Sequence, residues 1–423
     1  MKSGDRREDA GDGRVGTGGT GRRPSLVAGH LTLVTGLLIL NLLVQAGCTS
    51  AASRRPRQPG QTTLASPLVI LPAQLTGNYL LIEAKWDRFG PYRFLIDTGS
   101  SATLVTPALA KRYPGRDLPP ASAPRVRVTG ADGSVAELPQ GSLRRLELGD
   151  VRFEDVPVLI FDCAALSAHL GVRIDGVLGF PLFRETLLTL DYPGRRVLLQ
   201  PVRNAPLIPG TTIAFDDARK IPLITVRLGD RSLVALIDSG SDAFFTLNPV
   251  GVAPQFVFGP TVGGVVGTLG GDRTQRVGRL GETIAIGGHV FHEPVVEITD
   301  ELSAIGGGLL RHFSVSFDQL RDRVTFFRDS REAVTTPARR SAGVSFGKTP
   351  AYWRIAGVVP GSPAAKVEVQ TGDLVTRING ELVARWDLRR YEELVATAAE
   401  IGFTFLNGNT ETEKRVAVFE LVP

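Results

Sequence analysis

Phe94-Leu95-Ile96-Asp97-Thr98-Gly99-Ser100 and Ala235-Leu236-Ile237-Asp238-Ser239-Gly240-Ser241 follow one pattern, with their acids 141 positions apart. In each, three apolar residues run into an acid, a hydroxyl residue, a glycine and a serine. The apolar run reads as a buried strand and the Asp-Thr/Ser-Gly after it as a tight turn. A carboxylate delivered to a turn by a buried strand becomes a reagent only when its surroundings fix its proton. Two such groups about 3 Å apart cannot both ionise, so one stays acid while the other serves as base. A single copy would be an ordinary turn. Two copies in one chain supply both halves of such a pair.

The repetition extends beyond the turns. Tyr79-Leu80-Leu81-Ile82-Glu83 with Tyr92 to Ser100 is echoed by Pro222-Leu223-Ile224-Thr225-Val226 with Ser232 to Ser241. Leu148-Gly149 with Phe153 and Asp155 returns as Ile286-Gly287 with Phe291 and Glu293, and Val177-Leu178-Gly179 as Ala304-Ile305-Gly306. Asp191 with Arg196-Val197 returns as Asp318 with Arg323-Val324. Four landmarks in one order define two similar lobes. From Leu68 to Phe327 short apolar runs alternate with Gly, Pro and Asp, which predicts a mainly β region.

This region resembles the aspartic peptidases of the pepsin and retropepsin type, and most closely a fused pair of retropepsin-like units. The resemblance implies a two-lobed acid-protease fold of β-barrel lobes. Asp97 and Asp238 would be the catalytic pair, with Thr98, Gly99, Ser100, Ser239, Gly240 and Ser241 in support. Thr98 and Ser239 would bond across to the opposite lobe. Ser100 and Ser241 would each donate to their own Asp, and the two glycines would let backbone amides face the carboxylates. These donors favour ionisation, so activity at acidic pH is expected. Flap hairpins would lie at Val126–Val135, with Gly130, Asp132 and Gly133 at the tip, and at Val262–Arg273, with Gly270 and Gly271. No tyrosine lies between Tyr113 and Tyr192, a departure from the pepsin flap that leaves open how substrate is clamped. Asp242, which stands where the first lobe has Ser101, resembles the acid that holds substrate backbone in viral enzymes. A solvated or locally bonded Asp is the plainer reading.

The last 80 residues change character. Val358-Val359-Pro360-Gly361-Ser362-Pro363-Ala364-Ala365, Thr371-Gly372-Asp373-Leu374-Val375 and Ile378-Asn379-Gly380, in that order, resemble a bacterial PDZ domain of α+β fold. Leu388 to Ala399 would be its groove-lining helix. Such domains capture peptides by adding a strand to a sheet edge. The peptide groove is expected at Tyr352, Trp353, Arg354 and Ile355, although the glycine usual in that loop is missing. Docking onto the protease lobes is an equal alternative.

Length and charge set the remaining bounds. A chain of 423 residues is too long for one core. Residues 1–58 hold nine Lys/Arg against four Asp/Glu, which accounts for the whole net charge of +5. The rest is balanced, so nucleic acid is not an expected partner. Leu26 to Val44 is almost wholly apolar, follows Arg22-Arg23 and ends at Gln45-Ala46-Gly47-Cys48, the shape of an export signal. Ala-Gly-Cys resembles the end of a bacterial lipobox, with Cys48 as lipidation site. The alternative is an uncleaved membrane helix. Both put the folded part outside the cytoplasm, anchored to the membrane of a bacterial envelope and facing the periplasm or exterior. The expected organisation is 1–48 disordered N-terminus and signal, 49–66 linker, 67–203 and 204–329 the two lobes, 330–342 spacer and 343–423 PDZ domain.

Cys163 would then be unpaired, most simply a small buried apolar residue. His289, His292 and Glu293 imitate a metal cluster. They align with Val151, Glu154 and Asp155 of the first lobe, and strand positions three apart face opposite sides. No metal or other cofactor is implied. The expected function is an aspartic endopeptidase acting on an extended polypeptide as a monomeric catalytic unit, its PDZ domain recruiting substrate or gating the site. The rival is a catalytically silent peptide-binding scaffold of the same fold. A homodimer is a third reading that the repeat makes unnecessary.

Overall fold

Thr186–Asp191 (TLLTLD) is buried without alternation, as a strand covered on both faces is, and it is the seam of the molecule. The computed structural model describes residues 60–112, 125–130, 133, 135–203, 207–268, 271–330 and 332–423, with only the backbone course of 266–268 and 271–272. The expected export signal, Cys48 and most of the 49–66 linker lie outside them. Gln58–Pro423 form one compact unit. Among the described residues no helix is long and apolar enough to cross a membrane.

Thr186–Asp191 pairs antiparallel with Ser314–Asp318 at the centre of a six-stranded sheet. Val69–Pro72, Arg196–Pro201 and Thr186–Asp191 come from the first lobe. Ser314–Asp318, Arg323–Phe327 and Thr211–Ala214 come from the second. Thr189 stands opposite Ser316, and their hydroxyls meet at 2.7 Å. These two positions are 127 apart, the offset of the sequence repeat itself. Equivalent residues therefore pair on the axis relating the lobes, which a two-fold arrangement requires. One hydrophobic core runs through this sheet from Val69 and Leu71 to Val324 and Phe326.

Each lobe builds a sheet with the same inner order. In the first, Val151–Ile160, Thr103–Val105, Gly176–Gly179, Phe89–Asp97 and Tyr79–Trp86 lie side by side. In the second, Val295–Ile298, Phe245–Leu247, Ser303–Ile305, Arg231–Ile237 and Leu223–Leu228 do so. The strand leading to each acid is thus flanked by its hairpin partner and, in parallel, by the aliphatic-Gly strand. Gly179 pairs with Asp97, and Ile305 with Ile237. The glycines ending these segments are there for close approach. A Cβ on Gly179 would collide with the Ala102 carbonyl, and one on Gly306 with that of Ala243.

The PDZ domain forms a separate core around Phe346, Trp353, Ile355, Ile378 and Phe403. Its sheet runs Val344–Lys348, Trp353–Val358, Leu374–Ile378, Glu400–Asn407, Thr410–Ala417. Ser362 caps the short helix Pro363–Lys366, and Asp387 caps Leu388–Thr397. Asn379 and Gly380, both at positive φ, make the turn after Leu374–Ile378. The segment at 330–342 is not a free tether. Arg339–Ser341 pairs with Phe419–Val422. The Arg279 guanidinium reaches the carbonyls of Glu293, Thr336 and Pro337.

Gly179→Ala is expected to cost ~2–3 kcal/mol, since the backbone against which its Cβ presses cannot yield cheaply. A thermal midpoint equal to wild type would show that the close approach is not required.

Candidate active site

The two turns face each other across the lobe junction, and the residues after the acids lock them. Thr98 Oγ1 donates to Ile237 O at 2.7 Å and accepts from Ser239 N at 3.0 Å. Ser239 Oγ donates to Ile96 O and accepts from Thr98 N, both at 2.9 Å. Both side chains are fully buried. Each hydroxyl uses its donor and one acceptor site on the other lobe's main chain. The neighbouring backbone groups have no water to fall back on.

Behind this lock the carboxylates meet. Gly99 N donates to Asp97 Oδ1 and Gly240 N to Asp238 Oδ1, each at 2.8 Å. A Cβ on Gly99 would stand 2.5 Å from Asp238 Oδ1, and one on Gly240 2.5 Å from Asp97 Oδ1. Only glycine lets each turn pass so near the opposite acid. Asp97 and Asp238 hydrogen-bond to one another. Burial pushes the Asp97 pKa well above the usual carboxylate range. The charge of Asp238 and the bond to it push the same way, against the amides of Gly99 and Ser100. Burial also raises Asp238, opposed by the Gly240 amide and by the bond from Asp97. Both carboxyls are thus held above the ordinary range, so the pair titrates as a unit and keeps a proton to higher pH than an isolated Asp.

Two expectations are corrected here. The amide donors do favour ionisation, but burial outweighs them at both acids, joined at Asp97 by the charge of Asp238, so both are raised. Ser100 Oγ donates to Ala102 O at 2.8 Å, not to Asp97, and it is the Ser100 backbone amide that serves the acid. Ser241 Oγ accepts from Ala243 N at 3.3 Å. Both serines brace the loop leading out of the turn.

In the first flap, Gly133 N donates to Gly130 O, and a Cβ on Gly133 would run into the Glu301 carboxylate of the second lobe. Asp132 and Gly270 lie outside the described residues. Gly271 opens the strand Gly271–Leu280. In the PDZ domain, Trp353 and Ile355 are 2% and 0% exposed and belong to its core. Of the expected groove residues, Trp353, Arg354 and Ile355 sit on an inner strand, and Tyr352 lies exposed in the turn before it. A turn closed by Thr349 and Tyr352 brings the chain there from the edge strand Val344–Lys348. That edge, one strand earlier, is where a peptide could pair.

Asp242 is locally bonded at the junction. The Tyr79 hydroxyl hydrogen-bonds to its carboxylate, Asn78 Nδ2 donates to its carbonyl at 2.8 Å, and His169 Nε2 lies 3.9 Å from Oδ2. Burial alone would raise its pKa, but the interaction with His169 and the charge of Arg339 outweigh that and hold it down. Lys348 of the PDZ domain, 8% exposed, donates to His169 O at 2.7 Å. His169 and Lys348 are not marked by any sequence pattern, and Tyr79 enters only as part of the repeat, with no role at the site. The one available signal was the mismatch between repeats, Asp242 against Ser101 and Tyr79 against Pro222. Cys163 is buried, and burial lifts its thiol to about 12, so it stays protonated. His289 packs edge-on against Phe313 at 4.8 Å, and among the described residues no group of acids, histidines and cysteines is placed to hold a metal.

Residues 83–182 match the family model described as aspartyl protease, and residues 354–400 match that of the PDZ domain. No curated protein matches the chain. The first match takes in the Asp97 turn and Val177-Leu178-Gly179. The Asp238 turn lies beyond it and is tied to it by the repeat and the shared strand order. The chain is mostly β, with an aspartyl protease domain followed by a PDZ domain.

Ser239→Ala orphans Thr98 N and Ile96 O and is expected to cost about 2–4 kcal/mol, read from urea unfolding of residues 59–423. A loss under ~1 kcal/mol would mean that the lock contributes little. The raised pKa of Asp97 has a definite sign. The folded state binds that proton more tightly than the unfolded chain. The penalty is absent below the unfolded pKa of about 3.9 and grows as pH rises above it. Asp97→Asn should therefore gain stability relative to wild type between pH 4 and 7. A pH-independent difference would contradict the assignment.

Proposed function

We propose that this protease domain is an aspartic endopeptidase with both catalytic halves in one chain. The observation that carries the reading is the Asp97–Asp238 pair, drawn from two lobes, hydrogen-bonded across their junction and both raised by burial. Asp238, ionised, takes a proton from a water lying between the two acids as its oxygen attacks the peptide carbonyl. Asp97 gives its proton to the carbonyl oxygen. The tetrahedral gem-diol then collapses with transfer of a proton to the leaving nitrogen, and the C–N bond breaks. No covalent intermediate forms between enzyme and substrate.

The substrate is an extended polypeptide lying across the lobe junction with apolar side chains in the flanking pockets. The presence of both a protease and a PDZ domain supports peptide recognition. The PDZ domain recruits substrate or gates the site. The basic flank and apolar stretch before Cys48 support export, with the folded unit held at the membrane by a lipid on Cys48 or by a helix over Leu26–Val44. The two acids in one chain support a monomeric catalytic unit.

Residues 59–423 are expected to cleave a mixed peptide library, read by mass spectrometry, and Asp97→Asn and Asp238→Asn each to lower the rate by about 10²–10⁴-fold. Loss of the shared proton ends activity. The alkaline limb of kcat/KM should therefore fall above the ordinary Asp value of about 3.9, with the optimum mildly acidic. Cleavage surviving either substitution would sink the dyad. Silence of wild type from pH 3 to 7 would favour a binding scaffold on the same fold.

A further inference from the structure

The PDZ sheet has an edge strand, Val344–Lys348, that in this structure faces the chain's own protease lobes. Two elements cover it: the helix Ala164–Leu170 of the first lobe and the strand Phe256–Thr268, which is one arm of the second lobe's flap hairpin. Ser345 Oγ accepts a hydrogen bond from Val265 N of that arm at 2.9 Å. A Cβ on Gly264 would lie 2.8 Å from the same Ser345 oxygen, and one on Gly357 3.0 Å from Val265 Cβ. On the other side Lys348 Nζ reaches His169 O, whose imidazole adjoins Asp242, the residue after the catalytic turn. Leu388, the first residue of the PDZ helix, packs with Tyr79 and Leu81 of the first lobe. A single small domain therefore holds both lobes and one flap arm.

We infer that the PDZ domain is a clamp on the second flap, and that the docked form seen here restrains peptide access to the cleft. The inference rests on the proposed peptidase reading. A hairpin that must swing for a polypeptide to be seated cannot do so freely while its main chain is bonded to Ser345 and Val265 is wedged on Gly357. An open pocket of about 260 Å³ lies beside the seat, among Ala168, His169, Val265, Phe346 and Tyr352, so part of this face stays uncovered. The contacts to the flap hairpin combine the Val265–Ser345 hydrogen bond and the Val265–Gly357 wedge with Val277 in one cluster with Val359, Leu421 and Val422, and the hydrogen bond falls on the edge strand that a pairing peptide would also need.

The test uses residues 59–423 carrying Val265→Cys and Gly357→Cys. The Cβ separation there, 3.0 Å, is below the 3.5–4.5 Å of disulfides, so the two strands must part by about half an ångström for the bond to close, and Cys163 is buried. The oxidised protein is expected to cleave the peptide library at least tenfold more slowly than the same sample after reduction. Wild type should be unchanged by either treatment. Independently, Ser345→Ala should speed hydrogen exchange at the Val265 amide at least tenfold, with the inner strand Trp353–Val358 unaltered. Equal cleavage by oxidised and reduced forms overturns the clamp, as does unchanged exchange at Val265, and should the disulfide not close, the exchange measurement decides. Absence of cleavage in the reduced form strikes the peptidase reading instead, and the exchange measurement then decides the clamp alone.

Discussion

Everything at the centre of this molecule depends on two hydroxyl groups that are never exposed to water. Thr98 and Ser239 each spend their hydrogen-bonding capacity on the opposite lobe, so neither lobe alone can satisfy the main chain around its own turn. The net worth of the four bonds is only about 1 kcal/mol each, but the cost of leaving their partners dry is larger. This asymmetry makes the joint specific. A looser meeting of the lobes is not an intermediate option, because any separation that breaks one bond of the exchange exposes the others. The carboxylates inherit that precision. Their contact, and the burial that raises both of their pKa values, follow from a lock built by their neighbours.

The six-stranded sheet performs the same office on the far side of the core. Thr189 and Ser316 pair on the axis, and the flanking strands place Val69–Pro72 and Thr211–Ala214 at matching edges. Lock and sheet join the lobes at separated places, which suppresses rocking about either one.

Much of this was legible because it is written twice. The strand, turn and aliphatic-Gly phrases recur in order, and glycine at 99, 179, 240 and 306 declares close approach before any coordinates are seen. Three phrases located the PDZ domain. What was not legible depends on depth or on distant neighbours. The proton balance of Asp97 turns on burial outweighing amide donors, and a linear pattern carries no measure of burial. The Ser100 hydroxyl had two acceptors within reach, and only the loop geometry decides for Ala102. The PDZ edge was placed one strand late because the turn at Thr349–Tyr352 resembles a loop entering a groove. Nothing local marks Ser345 or Lys348, whose partners lie 80 and 179 residues away. Asp242 did announce itself, as an acid in one repeat where the other has Ser101.

That one mismatch carries a further meaning. A protein assembled from two identical chains must repeat every feature on both sides of its axis. Here fusion has let the halves drift apart around a centre that stays nearly symmetric. Asp242, with Tyr79 and His169 beside it, stands on one side only, and a single PDZ domain leans on that side. The two ends of the cleft are consequently unlike in charge and in wall. A polypeptide has a direction, and a trough with unlike ends can tell one orientation of it from the other.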